Sequence, residues 1–97
     1  GVIGLTRVLS EEFMHKGITA NAICPGYVRT PIVERNTDLI MKRSGLSRAE
    51  AEASMSASNR HQKLLEVEEI AAAAMWLCGP GSQSVNGQTI EIAGGQV

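Results

Sequence analysis

The chain has 97 residues, is 43% hydrophobic but only 3% aromatic, and carries a net charge of −1. That length supports one small domain, and a core built from Ile, Leu, Val, Met and Ala is thin for it. A near-neutral balance without charge blocks argues against nucleic-acid binding, and the longest apolar stretch, Ile70 to Cys78, is too short to cross a bilayer, so no membrane partner is expected.

Val2, Leu5, Leu9 and Phe13 open the chain at helical spacing, with Ile3 and Val8 widening the apolar stripe. No residue caps this start, as expected of a chain that begins inside a helix of a longer protein. His15-Lys16-Gly17 ends the helix: cations suit its negative end, and glycine suits the left-handed position beyond it. Ile18 to Cys24 then alternates with small or apolar residues on both faces, the pattern of a buried parallel strand. Asn21 is the exception, and a structural hydrogen bond to neighbouring backbone is expected of it. Cys24 and Cys78 both read as reduced and buried, which suits a cytoplasmic protein.

Pro25-Gly26 stops the strand. Thr30 is placed to cap the next helix with Pro31 at its first position, and this helix is predicted over Ile32 to Arg43. Ser44-Gly45 breaks it. Ser47 and Glu50 have capping-box spacing, so a short helix follows to about Ala57. Both helices are polar and weakly amphipathic, and read as mobile surface elements, not core walls. Glu66 to Cys78 is the strongest helical segment, with Ile70, Ala74, Leu77 and Cys78 as its stripe. Gly79-Pro80-Gly81 terminates it, and Gln88 to Ala93 forms a short strand with Ile90 and Ile92 on one face.

The order is helix, strand, two small helices, long helix, strand. A long helical crossover implies a parallel strand pair. Two strands alone make no stable doubly wound sheet. The fold class is therefore α/β, and the chain alone is expected to fold poorly or aggregate.

"GVIGLTRVLSEEF", "GITANAICPGYVRTP" and "EEIAAAAMWLCGPGSQSVNGQTIEIAGG" resemble, in order, the catalytic-tyrosine helix, the sixth strand with its Pro-Gly loop, and the last helix and strand of the short-chain dehydrogenases/reductases. The resemblance covers essentially the whole chain and implies the C-terminal part of a Rossmann-like doubly wound parallel sheet. It divides residues 1–97 into 1–17, the remainder of the tyrosine helix; 18–31, strand and nicotinamide loop; 32–63, a substrate lid; and 64–97, the last helix and strand. The family's glycine-rich nucleotide turn, its serine and its Tyr-x-x-x-Lys pair would lie before Gly1. Tyr27, the only tyrosine, has no lysine four residues on. The implied enzyme is an oxidoreductase that interconverts 3-hydroxy and 3-oxo acyl substrates with NAD or NADP, and this chain alone is expected to be inactive, with no catalytic residue of its own.

The resemblance assigns cofactor contacts to Pro25, Gly26, Val28 and Thr30. Pro25 and Gly26 would shape the turn, the Val28 backbone would bond the nicotinamide carboxamide, and the Thr30 hydroxyl would reach the carboxamide or a phosphate. Turn and cap chemistry alone also accounts for Pro25, Gly26 and Thr30. Tyr27 would face the substrate, or stand as a rim aromatic with its hydroxyl in water. By similarity to 3-hydroxybutyrate dehydrogenases, densest over "ITANAICPGYVRTPIVER", Asn36 would hold the substrate carboxylate. The tail also resembles 3-oxoacyl and polyketide ketoreductases, whose substrates are thioesters. Lys42, Arg43, Arg48, Arg60 and Lys63 would then meet a carrier's phosphates, or are ordinary solvated charges. Val67 replaces the usual helix-opening proline, and Ala93 the usual aspartate before Gly94-Gly95. His15 and His61 receive no catalytic role, and no metal is expected. By resemblance the first and last helices, with Trp76, make contacts in a homotetramer. The competing reading is a non-catalytic binding or assembly module on the same scaffold.

Overall fold

The computed structural model describes residues 1–95; residues 96 and 97, the end of the segment expected over 64–97, lie outside the described residues. Helix α1 spans Val2–Phe13, a 3-10 turn covers Met14–Lys16, and Gly17 follows in the left-handed region at φ 72°. Strand β1 is Ala22–Pro25, helices α2 and α3 are Pro31–Ser44 and Arg48–Ser56, helix α4 is Val67–Cys78, and strand β2 is Thr89–Ile92. The two strands pair in parallel, with Ala22 opposite Thr89 and Pro25 opposite Ile92. The α/β order read from the sequence is the order observed.

Both strands are shorter than expected at their N-terminal ends, because asparagine side chains replace the backbone ladder there. Asn21 Nδ2 donates to the Val85 carbonyl at 2.9 Å, and its Oδ1 accepts from the Gln88 N–H at 3.0 Å. Asn86 Oδ1 accepts from the Ala20 N–H at 3.0 Å, and its Nδ2 donates to the Ser10 carbonyl at 3.3 Å. Together they tie α1, β1 and the turn before β2. Pro25 is the last residue of β1 and Gly26 lies beyond it, so the strand ends at the Pro-Gly pair as expected. In this register Gly26 N–H donates to the Ile92 carbonyl at 2.8 Å, so the position before it points its nitrogen away from β2, where a missing N–H costs nothing.

Helix α1 covers only part of its expected face, with Leu9 and Phe13 half-buried. Its buried residues are Thr6 and Ser10, while Val2, Leu5 and Val8 are 71%, 58% and 60% exposed. Small size decides this. A Cβ placed on Gly87 would lie 2.7 Å from Ser10 Oγ, so helix and turn approach too closely for Leu or Val at position 10.

Helices α2 and α3 also differ from expectation, because they hold the core. Val33, Met55 and Leu64 form the buried apolar cluster, with Ile40 packed against it, and Ala51 is fully buried between α2 and α3. Thr37 joins them, donating to the Val33 carbonyl at 2.8 Å and lying 3.5 Å from Met55 Sδ. Their ends are capped as the sequence predicts. Thr30 Oγ1 accepts from the Val33 N–H, and Ser47 and Glu50 exchange side-chain-to-backbone bonds at 3.1 and 3.2 Å.

Helix α4 packs on β1 yet buries no residue. Glu69 Oε2 accepts from the Glu66 N–H at 2.7 Å, which closes the helix start without the proline. Ile70, Ala74 and Leu77 are half-buried, and Cys78 is exposed, correcting the buried thiol expected there; Cys24 is half-buried. The molecule measures 56 × 26 × 23 Å with a radius of gyration of 17.0 Å. A compact domain of this length would have roughly 12–13 Å. The excess reflects helices that stand off a sheet of only two strands.

Candidate nicotinamide loop

The five residues from Gly26 to Thr30 join β1 to α2 and are held by two partners. Val28 forms a parallel bridge with Leu65: the Leu65 N–H donates to the Tyr27 carbonyl at 3.0 Å, and the Arg29 N–H donates to the Leu65 carbonyl at 2.8 Å. In extended backbone, successive peptide groups alternate sides. The Val28 N–H and C=O therefore point away from Leu65, and neither has a partner among the described residues.

The second partner is Asn59, whose role the sequence did not signal. It is 1% exposed. Its Oδ1 accepts from the Tyr27 N–H at 3.0 Å, and its Nδ2 donates to the Tyr27 carbonyl at 3.0 Å and the Lys63 carbonyl at 2.7 Å. Tyr27 and Asn59 are 32 residues apart, and no local pattern links them. Gly26 explains the fit. A Cβ there would overlap Asn59 Oδ1, so this glycine is required for space. Its φ is not positive, unlike those of Gly17 and Gly45.

Pro25, Gly26, Tyr27, Ser58 and Asn59 line a cleft of 430 Å³. Tyr27 is 44% exposed at its rim. Thr30 lies beyond, its Oγ1 accepting from the Val33 N–H at 3.3 Å, which leaves the hydroxyl proton free to donate outward. Asn36 is not brought to this cleft; it lies on the exposed side of α2. His61 packs over Gly94, and Arg60 N–H donates to the Ala93 carbonyl at 2.9 Å, so the end of β2 backs the 59–61 segment.

Arg29 anchors the loop electrostatically. Its guanidinium meets Glu52 at 2.5 Å and Glu34 and Glu66 at 3.2 Å each. The hydrogen bond it donates to Glu52, then that to Glu66, pushes its pKa above the usual arginine range, so it stays charged. Arg48, considered for a carrier's phosphates, instead pairs with Glu34 and Asp38. Among the described residues no three His, Cys, Asp or Glu side chains are grouped to hold a metal, and no helix is long and apolar enough to cross a membrane.

A family model described as enoyl-(acyl carrier protein) reductase matches residues 1–96. The chain belongs to the short-chain dehydrogenase/reductase family. Within that family it is 31% identical over 96 residues to D-beta-hydroxybutyrate dehydrogenase of Rhizobium meliloti, covering 98% of this chain and 37% of the relative. It is 33% identical over 95 residues to a putative ketoacyl reductase of Streptomyces coelicolor, covering 98% and 36%. Among solved structures, a variant of actinorhodin polyketide ketoreductase with NADPH superposes at a TM-score of 0.81 with 33% identity, over 98% of this chain and 36% of that one. The chain thus spans little more than a third of the relatives it matches. The superposition agrees with the Rossmann-like reading of the α/β fold.

Proposed function

We propose that this chain forms the nicotinamide-facing wall of an NAD(P)-dependent oxidoreductase that interconverts 3-hydroxy and 3-oxo acyl substrates, and that the 97 residues alone are inactive. The unpartnered N–H and C=O of Val28, at the carboxyl end of a parallel strand, carry this reading. Ligands of such folds bind at that end of the sheet. A carboxamide offers one acceptor and one donor group, the complement of a free peptide N–H and C=O. The residues present fit that group.

When bound, the dinucleotide supplies or accepts the hydride. The chain's own residues orient it. Val28 would hold the carboxamide edge through its backbone. Thr30 would donate its hydroxyl proton to the carboxamide or a phosphate while its oxygen still caps α2. Pro25 and Gly26 shape the approach, and the cleft beside them leaves Tyr27 facing an acyl group. Asn36, on the exposed side of the helix that Thr30 opens, would meet a carboxylate only where the substrate extends out of this cleft over α2. Relatives named D-beta-hydroxybutyrate dehydrogenase, putative ketoacyl reductase and acetoacetyl-CoA reductase support acyl substrates, as free acid or thioester. The outward apolar faces of α1 and α4 suit subunit contacts in a cytoplasmic homotetramer.

The test is turnover by the complete protein that carries this chain, followed by nicotinamide absorbance, with 3-hydroxybutyrate and with 3-oxoacyl thioesters under NAD(H) and NADP(H). Turnover of either acyl class is expected. Absence of dinucleotide binding and of turnover would leave the assembly-module reading in its place.

A further inference from the structure

We infer that Asn59 is a positioning residue for the nicotinamide-facing loop: its carboxamide sets the direction in which Val28 presents its free N–H. The inference rests on the function proposed above. Asn59 is buried, and all of its side-chain hydrogen-bonding groups are directed at backbone. Its Oδ1 takes the Tyr27 N–H, and its Nδ2 bridges the Tyr27 and Lys63 carbonyls. The Tyr27 carbonyl also accepts from the Leu65 N–H, so this oxygen holds two donors on one side. The Tyr27 C=O and the Val28 N–H share one peptide plane, so fixing the first aims the second the opposite way, and the Arg29 N–H bond to Leu65 fixes the Val28 C=O likewise. Asn59 thereby does for Val28 what an outer-shell partner does for a ligating side chain.

Gly26 is the matching half of the device. The two residues interlock, since any side chain at position 26 would displace Asn59 Oδ1. Asn59 itself hangs on the segment that leaves α3, its N–H donating to the Ser56 carbonyl at 3.0 Å and its carbonyl accepting from the Gln62 N–H at 2.9 Å. Asn59 therefore couples the segment after α3 to the loop, beside the ion pair of Arg29 with Glu52. A residue serving packing alone would use apolar contact, whereas Asn59 satisfies three backbone groups that water would otherwise reach.

The experiment measures dinucleotide dissociation constants and unliganded melting temperatures on the complete protein for wild type, Asn59→Ala, Gly26→Ala and the double variant. Asn59→Ala is expected to weaken dinucleotide binding about tenfold, through peptide groups left unpaired beside the loop. Gly26→Ala should weaken it comparably. In the double variant the clash partner is gone, so adding Gly26→Ala to Asn59→Ala should change the constant by less than about twofold. A role in folding alone would lower the melting temperature and leave the dissociation constant of the folded protein unchanged, which overturns the inference. Fully additive effects of the two substitutions overturn it as well. If the wild-type protein binds no dinucleotide, the functional reading fails and the inference falls with it; if it binds and Asn59→Ala binds equally well, only the inference falls.

Discussion

Arg29 meets Glu52 at 2.5 Å, tying the loop after β1 to the second lid helix. The same guanidinium reaches Glu34 on α2 and Glu66 at the start of α4, so one side chain joins four parts of the chain. Arg29 is 39% exposed on its side chain, and solvent screens each pair. Arg29→Ala is expected to cost about 1 kcal/mol in all. Its raised pKa places loss of the network only above the ordinary arginine range, so this contribution does not fade as pH rises through neutrality. Thermal unfolding of wild type and variant at low and high salt checks it: the difference should shrink at high salt. A salt-independent difference would contradict the electrostatic account.

Glu50 gives a pH dependence with a defined sign. The Ser47 N–H, then the Ser47 hydroxyl, hold its carboxylate below its ordinary value of 4.5. A depressed folded-state pKa stabilises above the unfolded value and is lost as pH falls through the folded one. The cap of α3 should therefore persist at neutral pH and fail only in acid below 4.5. An NMR titration of the Glu50 carboxylate checks this; a midpoint at or above the ordinary value would contradict the reciprocal cap.

The lid core predicts where truncation hurts. Leu64 is 8% exposed within the Val33–Met55 cluster, whereas Leu5 on α1 is 58% exposed. Leu64→Ala should destabilise by about 2–4 kcal/mol. Leu5→Ala should stay within about 0.5 kcal/mol wherever no partner covers α1. Denaturant unfolding of both variants decides between this core and one on α1, which would reverse the order.

Asn21 should matter as a ladder substitute. Asn21→Ala leaves the Val85 carbonyl and Gln88 N–H without their partner and is expected to cost about 1–3 kcal/mol. Asn21→Asp keeps the acceptor for Gln88 and loses the donor to Val85. Amide exchange at Gln88 should accelerate in the alanine variant and much less in the aspartate one. Equal protection in all three would show that the strand start holds without this side chain.

Features encoded within a few residues were legible in the sequence. Thr30-Pro31, Ser47 with Glu50, Gly17 and Gly45 each act through groups one to four positions away, and each is found as predicted. The parallel pairing of β1 with β2 followed from the length of the helical crossover. The Pro-Gly loop was placed between strand and helix for the same reason. Asn59 was not legible, because its partners at Tyr27 are 32 positions away and its neighbours form an ordinary polar loop.

By itself, the sequence determined the element order, the helix caps and the α/β class, since these depend on backbone chemistry close along the chain. Only the tertiary structure decided which faces are covered. Burial depends on what lies opposite: Ser10 faces a close turn while Val2, Leu5 and Val8 stand exposed, and two polar helices enclose Val33, Met55 and Leu64 because they pack on each other. The same closeness between segments far apart in sequence made Gly26 a matter of space and Asn59 the residue that shapes the loop.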